Sequence, residues 1–194
     1  MLSSEISKPT RSFRPVSGRC QANADVCAKI ERFQSQWQAM ADAKGRLPTR
    51  REFDPTAVPD LLPNLLLVEK TVVGDESESR HRVRLAGTRV VAAMGSEITG
   101  YDLATLPRED GARALAAGVD LCIAQRRPIP GEFTVVSGHA GWVARVGRIA
   151  GFRFLAVPFS ETYTVPTVAM MLVLFVAADG SEVWAEWLGT SATA

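Results

Sequence analysis

The sequence predicts an α+β fold: an antiparallel sheet of about five strands, covered on one face by short helices and one longer helix, with a flanking helix in front. Three observations predict it. From Arg80 to Asp102 the pattern changes its period, since His81, Val83 and Leu85 alternate with Arg80, Arg82 and Arg84 as in a half-buried strand. After Gly87-Thr88, the residues Val90, Val91 and Met94 recur at helical spacing instead. Upstream, Val26, Ile30, Phe33, Trp37 and Met40 follow one another at intervals of four, three, four and three residues, which places them on one narrow helical stripe. Downstream of Pro128, apolar segments alternate with breaks rich in Gly, Pro and Ser, the signature of successive strands.

Residues 1–23 carry Ser, Pro and Arg with no sustained periodicity and read as a flexible arm. The flanking helix then occupies 24–45, with Asp25 serving its start and Gly45 its end. A folded domain is expected over 46–180, followed by a tail over 181–194 that includes a short segment with Trp184 and Trp187. Asp54-Pro55 is a helix start, a capping carboxylate with proline at the first helical position, and Val58, Leu61 and Leu62 face inward from it. Pro63 limits that helix to a turn or two. Asn64 to Val73 reads as a strand whose unbroken run Leu65, Leu66, Leu67, Val68 calls for cover on both faces. Its antiparallel neighbour is Arg80 to Ala86, across the polar loop Gly74 to Ser79.

Thr88 is placed to cap the short helix that follows, and Gly95 to end it. Pro107 opens the longer helix, which runs to about Gln125 with Ala112, Leu115, Val119 and Cys122 inward and Ile123 alongside. Acidic Glu109 and Asp110 lie near its start and Arg126 and Arg127 at its end, matching the helix dipole. The remaining strands are expected at Glu132 to Ser137, Trp142 to Ile149, Phe152 to Phe159 and Thr167 to Ala177.

With 22 Lys+Arg against 21 Asp+Glu, a net charge of +1 gives no electrostatic reason to expect nucleic acid or a membrane surface as partner. At 46% hydrophobic residues, the 194-residue chain has enough apolar material for a sizeable core. Its longest apolar run, Val165 to Ala178, is broken by Pro166 and falls short of the ~20 residues a membrane span needs. No apolar stretch follows Lys8, Arg11 and Arg14, so no signal peptide is expected. Cys20, Cys27 and Cys122 are odd in number and lack CxxC spacing, which suggests neither a disulfide framework nor a zinc site and fits a reducing cytoplasm.

Several of these pieces also resemble a known family. The run RLAGTRVVAAMGSEITGYDL, preceded by LPTRREFDP and LLPNLLLVE, resembles the small stand-alone PAS-like proteins of bacteria, a branch of the PAS sensory superfamily. The resemblance spans roughly Leu47 to Asp179 and rests on Arg50, Asp54-Pro55, Leu62-Pro63, and Arg84 with Gly87-Thr88 followed by Gly95 and Gly100. It implies a ligand cavity between sheet and helices, with Leu85, Met94, Leu115, Val119, Cys122 and Phe154 as candidate lining. The same resemblance implies pairing through a helix ahead of the domain, hence a homodimer through Val26, Ile30, Phe33, Trp37 and Met40. The residues alone leave a second reading open, in which this stripe covers the chain's own sheet.

Catalytic and cofactor signals are sparse. Of the two histidines, His139 lies in a Gly-rich turn and His81 on a strand between arginines, neither beside a nucleophile or acid/base partner in sequence. His81 reads as a structural residue. No histidine lies between Pro107 and Gln125, where a haem-binding relative would present one, and Cys122 is not set in the asparagine-cysteine-arginine motif of flavin-binding light sensors. The expectation is therefore no cofactor and no metal, with Cys122 a small buried hydrophobe. Arg82 and Arg84 read as the solvated face of their strand, with recognition of an anion as the functional alternative.

Two function classes remain. One is a non-enzymatic sensory or regulatory domain that binds a small ligand or a signalling protein and, lacking an attached output segment, passes its signal by protein contact. The other is a small-molecule-processing enzyme, which would need polar groups converging in the cavity.

Overall fold

In the computed structural model, which describes residues 14–15, 23–73, 78–106, 109–134, 149–161 and 166–183, the apolar runs assemble one antiparallel sheet. Its principal strands are β2 (Leu65–Val73), β3 (Glu78–Ala86), β4 (Ile129–Thr134), β5 (Gly151–Ser160) and β6 (Pro166–Val176). A two-residue β1 (Arg14–Pro15) adds to one edge, giving the order β1-β4-β5-β6-β2-β3. The pair Arg14 and Pro15 meets Glu132 and Gly131, so this part of the expected flexible arm is paired to the sheet. Among the described residues the α-helices are α1 (Ala24–Lys44), α2 (Thr88–Met94) and α3 (Glu109–Gln125).

Strand β6 sits in the middle, between β5 and β2, and is buried on both faces from Val168 to Val176. Alternate residues feed two separate cores, as a pleated strand requires. Ala169, Met171, Val173 and Phe175 join Leu66, Val68, Val83, Phe154, Leu115 and Val119 beneath α2 and α3. On the opposite face, Val168, Met170, Leu172 and Leu174 join Leu65, Leu67, Leu155, Val157 and Phe159 beneath α1. The sheet is therefore covered on both faces, by α2 and α3 on one and by the flanking α1 on the other. The double cover is what the unbroken apolar run of β2 demands.

Helix α1 supplies the second layer. Asn23 caps it by accepting from the Asp25 amide at 2.9 Å, and Gly45 ends it in a left-handed conformation, φ 62°. Four of its five stripe residues, Val26, Ile30, Phe33 and Trp37, are buried, and Met40 packs against the same core. Trp37 also donates its indole N–H to the Pro158 carbonyl at 2.9 Å. The stripe is thus spent on the chain's own sheet, and the expected pairing of two copies through it is corrected: these side chains present no free apolar seam. Phe33, Phe53 and Phe159 continue the contact as two edge-to-face ring pairs, with centroids 6.3 and 6.2 Å apart.

Local boundaries follow the expected punctuation with small shifts. Gly87 is the N-cap of α2 and Thr88 its first residue, with no side-chain cap bond, so Thr88 does not cap the helix as expected. A tight 3-10 turn spans Leu62–Asn64, running through Pro63. Strand β4 starts at Ile129, immediately after Pro128, three residues before the expected Glu132. The expected strand from Trp142, the loop with His139, the residue Pro107 and the segment with Trp184 and Trp187 lie outside the described residues, as does Cys20. Cys27 is disulfide-bonded, which corrects the expectation of no disulfide; Cys122 is a free, buried thiol.

A buried polar chain locks the layers to one another. After a turn at 177–181, Val183 returns to donate to Phe175 O at 2.8 Å, which brings Glu182, with its side chain 2% exposed, against Lys29 of α1 and 3.5 Å from Arg89 of α2. Arg89 also donates to Asn64 Oδ1 at 3.0 Å, and Asn64 donates to Val173 O at 2.9 Å. Burial lowers the Lys29 pKa, yet the carboxylates of Glu182 and Asp25 outweigh it and hold the ammonium above its ordinary value. An anion this deeply buried persists only because it is paired.

Candidate functional site: a groove on the helix α1 face

The expected cavity residues do not stay together. Met94, Leu115, Val119, Cys122 and Phe154 pack in one buried cluster between the sheet and α2 and α3. Space there is tight, because a Cβ at Gly118 would stand 2.5 Å from the Phe154 ring. Leu85 is elsewhere. Val68 pairs with Val83 and Leu67 pairs with Leu85, so Arg84 is an extra residue in β3, a β-bulge. A bulge exchanges the faces of everything beyond it. Val83 points to the α3 side, while Leu85 is turned to the face of Leu67 and left 43% exposed. Plain alternation had put the two on one side.

Leu85 lines a groove of about 700 Å³ on that face, a size typical of small-molecule sites. The buried Leu65, Leu67 and Met170 form its floor, and Leu62, Pro63, Leu85 and Ala86 also line it. The exposed Arg50 and Arg51 stand at its rim, with Pro55, Pro59, Gly87, Thr88 and the half-buried Phe53 completing the lining. Six residues of the sequence motif therefore converge here: Arg50, Pro55, Leu62, Pro63, Gly87 and Thr88. The other four set the geometry around it. Asp54 caps the Pro55–Ala57 turn by accepting from the Thr56 amide at 2.9 Å, and Arg84, the bulged residue, pairs with Glu69 at 3.1 Å. Gly95 ends α2 at φ 74°, and Gly100 makes a φ 90° turn that lets its amide donate to Val83 O at 2.8 Å.

The rim is rigidly founded. The turn Arg50–Glu52 follows Thr49, which bridges to Ser160 at the end of β5, and the Ser160 amide donates to Pro48 O at 3.0 Å. Glu52 accepts from the Thr49 amide at 2.7 Å and from both terminal nitrogens of Arg46, at 2.7 and 3.1 Å. Those contacts, Arg46 foremost, pull the Glu52 carboxyl down to about 2. Acids that follow Arg50 and Arg51 in sequence have partners of their own: Glu52 pairs with Arg46, Asp54 accepts from Thr56, and Asp60 pairs with Arg32. Both Arg50 and Arg51 are exposed, and neither is in an ion pair among the described residues. Of the groove, the candidate site residues read from sequence did not include Arg51, Phe53, Pro59, Leu65, Leu67, Ala86 and Met170. The signal available was the doubled arginine directly before Glu52-Phe53-Asp54-Pro55.

Other candidate groups have structural partners. Nε2 of His81 donates to Asp120 Oδ1 at 2.9 Å, and Lys70 Nζ reaches the same oxygen at 2.7 Å, tying α3 to β2 and β3. Burial works to raise the Asp120 carboxyl, but His81 and Lys70 together hold it below the ordinary value. Among the described residues, no three His, Cys, Asp or Glu side chains gather to hold a metal, and no helix is long and apolar enough to cross a membrane.

Burial, helped by the Asp120 charge, pushes the Cys122 thiol up to about 12, so it stays protonated and inert at neutral pH. In the folded protein Cys122 is expected to resist iodoacetamide in mildly alkaline buffer and to react fully once denatured. Peptide mapping that finds Cys122 modified under native conditions would refute this packing.

A family model described as a PAS domain matches residues 27–172. No match is found among curated proteins.

Proposed function

The chain belongs to the PAS domain family, and on that premise we propose that it is a non-enzymatic sensory or regulatory domain that binds a small ligand and acts through contact with a partner protein. The observation that carries the reading is the groove: about 700 Å³ with an apolar floor, lined by residues from three separate stretches of the chain. A floor of Leu65, Leu67 and Met170 offers burial to an apolar body and no group able to move a proton. This supports binding over turnover. The groove also opens beside Leu85, which with Tyr101 is one of the two large apolar side chains exposed among the described residues, so an occupant would alter a surface that a partner could touch. Contact with that partner is assigned to surfaces other than the α1 stripe, which is buried on its own sheet.

Native mass spectrometry tests the reading. The protein purified under non-denaturing conditions is expected to carry an additional small mass that is lost on denaturation. Identical native and denatured masses, unchanged after incubation with a small-molecule extract, would remove the ligand from the proposal.

A further inference from the structure

We propose that the groove selects an amphiphilic carboxylate, an aliphatic or aryl body lying on Leu65, Leu67 and Met170 with its carboxylate held by Arg50 and Arg51. The inference rests on the reading of the chain as a ligand-binding domain and names the chemistry of that ligand. Two independent features of the site meet in it. The floor is apolar and gains from any hydrocarbon that displaces water from it. The rim, in contrast, carries two guanidinium groups that meet no ion-pair partner among the described residues, with Glu52 paired to Arg46 and Asp60 to Arg32.

A guanidinium stays charged at every accessible pH and presents its donors as a planar fork, which fits the two oxygens of a planar carboxylate. Beside an apolar floor, such a contact is less screened than one in open solvent. The stems of both arginines leave a turn that Thr49 ties to β5 and that the Glu52 carboxylate closes onto the Thr49 amide, so less backbone freedom is lost when they close on an anion. Two residues on one short turn with one apolar trough beneath them favour a molecule with a single charged end. A polar dianion would waste the floor, and a neutral hydrocarbon would waste the rim.

Calorimetric titration with decanoate, below its aggregation concentration, tests this against decanol, butyrate and decyl phosphate. Decanoate is expected to bind at least tenfold more tightly than decanol, which lacks the charge, and than butyrate, which lacks the body. The double variant Arg50→Ala/Arg51→Ala is expected to lose at least tenfold for decanoate and nothing for decanol, with an unchanged melting temperature, since neither side chain makes an ion pair among the described residues. Raising the salt concentration should weaken decanoate and leave decanol unaffected. Equal affinity for decanoate and decanol, or undiminished decanoate binding by the double variant, would overturn the assignment. Tenfold preference for decyl phosphate would overturn the carboxylate in favour of a phosphate head. Should none of the anions bind while native mass spectrometry still shows a copurified neutral molecule, the chemical class fails and the ligand-binding reading survives; if no small mass is found either, both fail.

Discussion

Trp37→Ala is expected to lower the unfolding free energy by ~4 kcal/mol, the usual cost of deleting a buried aromatic, and to lower the melting temperature by about 8 to 16 °C for a chain of this size. Trp37 is 4% exposed and lies on the sheet among Phe33, Val157 and Met170. Its loss opens a cavity between two layers that meet through few residues of α1. It also strips the Pro158 carbonyl of its indole partner, 2.9 Å away, and a buried acceptor left unpaired adds to the deficit. Trp37→Phe should retain most of the packing and lose only the hydrogen bond, ~1 kcal/mol. Because the stripe is intramolecular, these losses should be the same at low and high protein concentration. A melting temperature that climbs with concentration in the parent protein, together with an unaffected Trp37→Ala variant at high dilution, would show that the stripe works between copies instead.

That distinction marks where sequence reading stops. A one-sided apolar stripe says that a face is buried, and the intervals from Val26 to Met40 placed α1 correctly. They carry no information about which surface does the burying. Double cover of β2, by contrast, was legible, because Leu65 to Val68 have no polar residue to give to solvent on either face. Leu85 was misplaced for a specific reason: one inserted residue at Arg84 reverses the alternation, and a bulge leaves no mark in a pattern of apolar and charged residues. The groove shows a third limit. Arg50, Leu62, Pro63, Gly87 and Thr88 were singled out as a motif, yet nothing in their order reveals that they line one groove. Only the antiparallel pairing of β2 with β3 brings the turn at 62–64 against the corner at 87. Cys27 was misread because spacing rules cover common frameworks and say little about a single bond.

The corner at Gly87 is the second place where a small change should have a large effect. Gly87→Ala is expected to cost ~3 kcal/mol, the upper end for overpacking, or a melting temperature about 6 to 12 °C lower, and Gly87→Val more. Backbone freedom is not the cause, since Gly87 has φ −67° and ψ 157°, which any residue adopts. What forbids a side chain is proximity: a Cβ would stand 2.4 Å from Leu62 O, 2.4 Å from Pro63 O and 2.5 Å from Pro63 C, all backbone atoms. Gly87 cannot retreat, because its amide donates to Leu65 O at 2.7 Å and its carbonyl accepts from Val91 at 3.0 Å. The turn at 62–64 must therefore yield. It carries Asn64, which bonds Val173 O and accepts from Arg89, so any shift disturbs the buried chain that ends at Glu182. Gly95→Ala is the control, with φ 74° and nothing within 4 Å of the added Cβ, and should cost only the ~1 kcal/mol of a left-handed backbone. Urea unfolding of the two variants decides the matter. If Gly95→Ala proves the more damaging, or if Gly87→Ala unfolds with the parent, the two strands and the turn do not meet as closely as described.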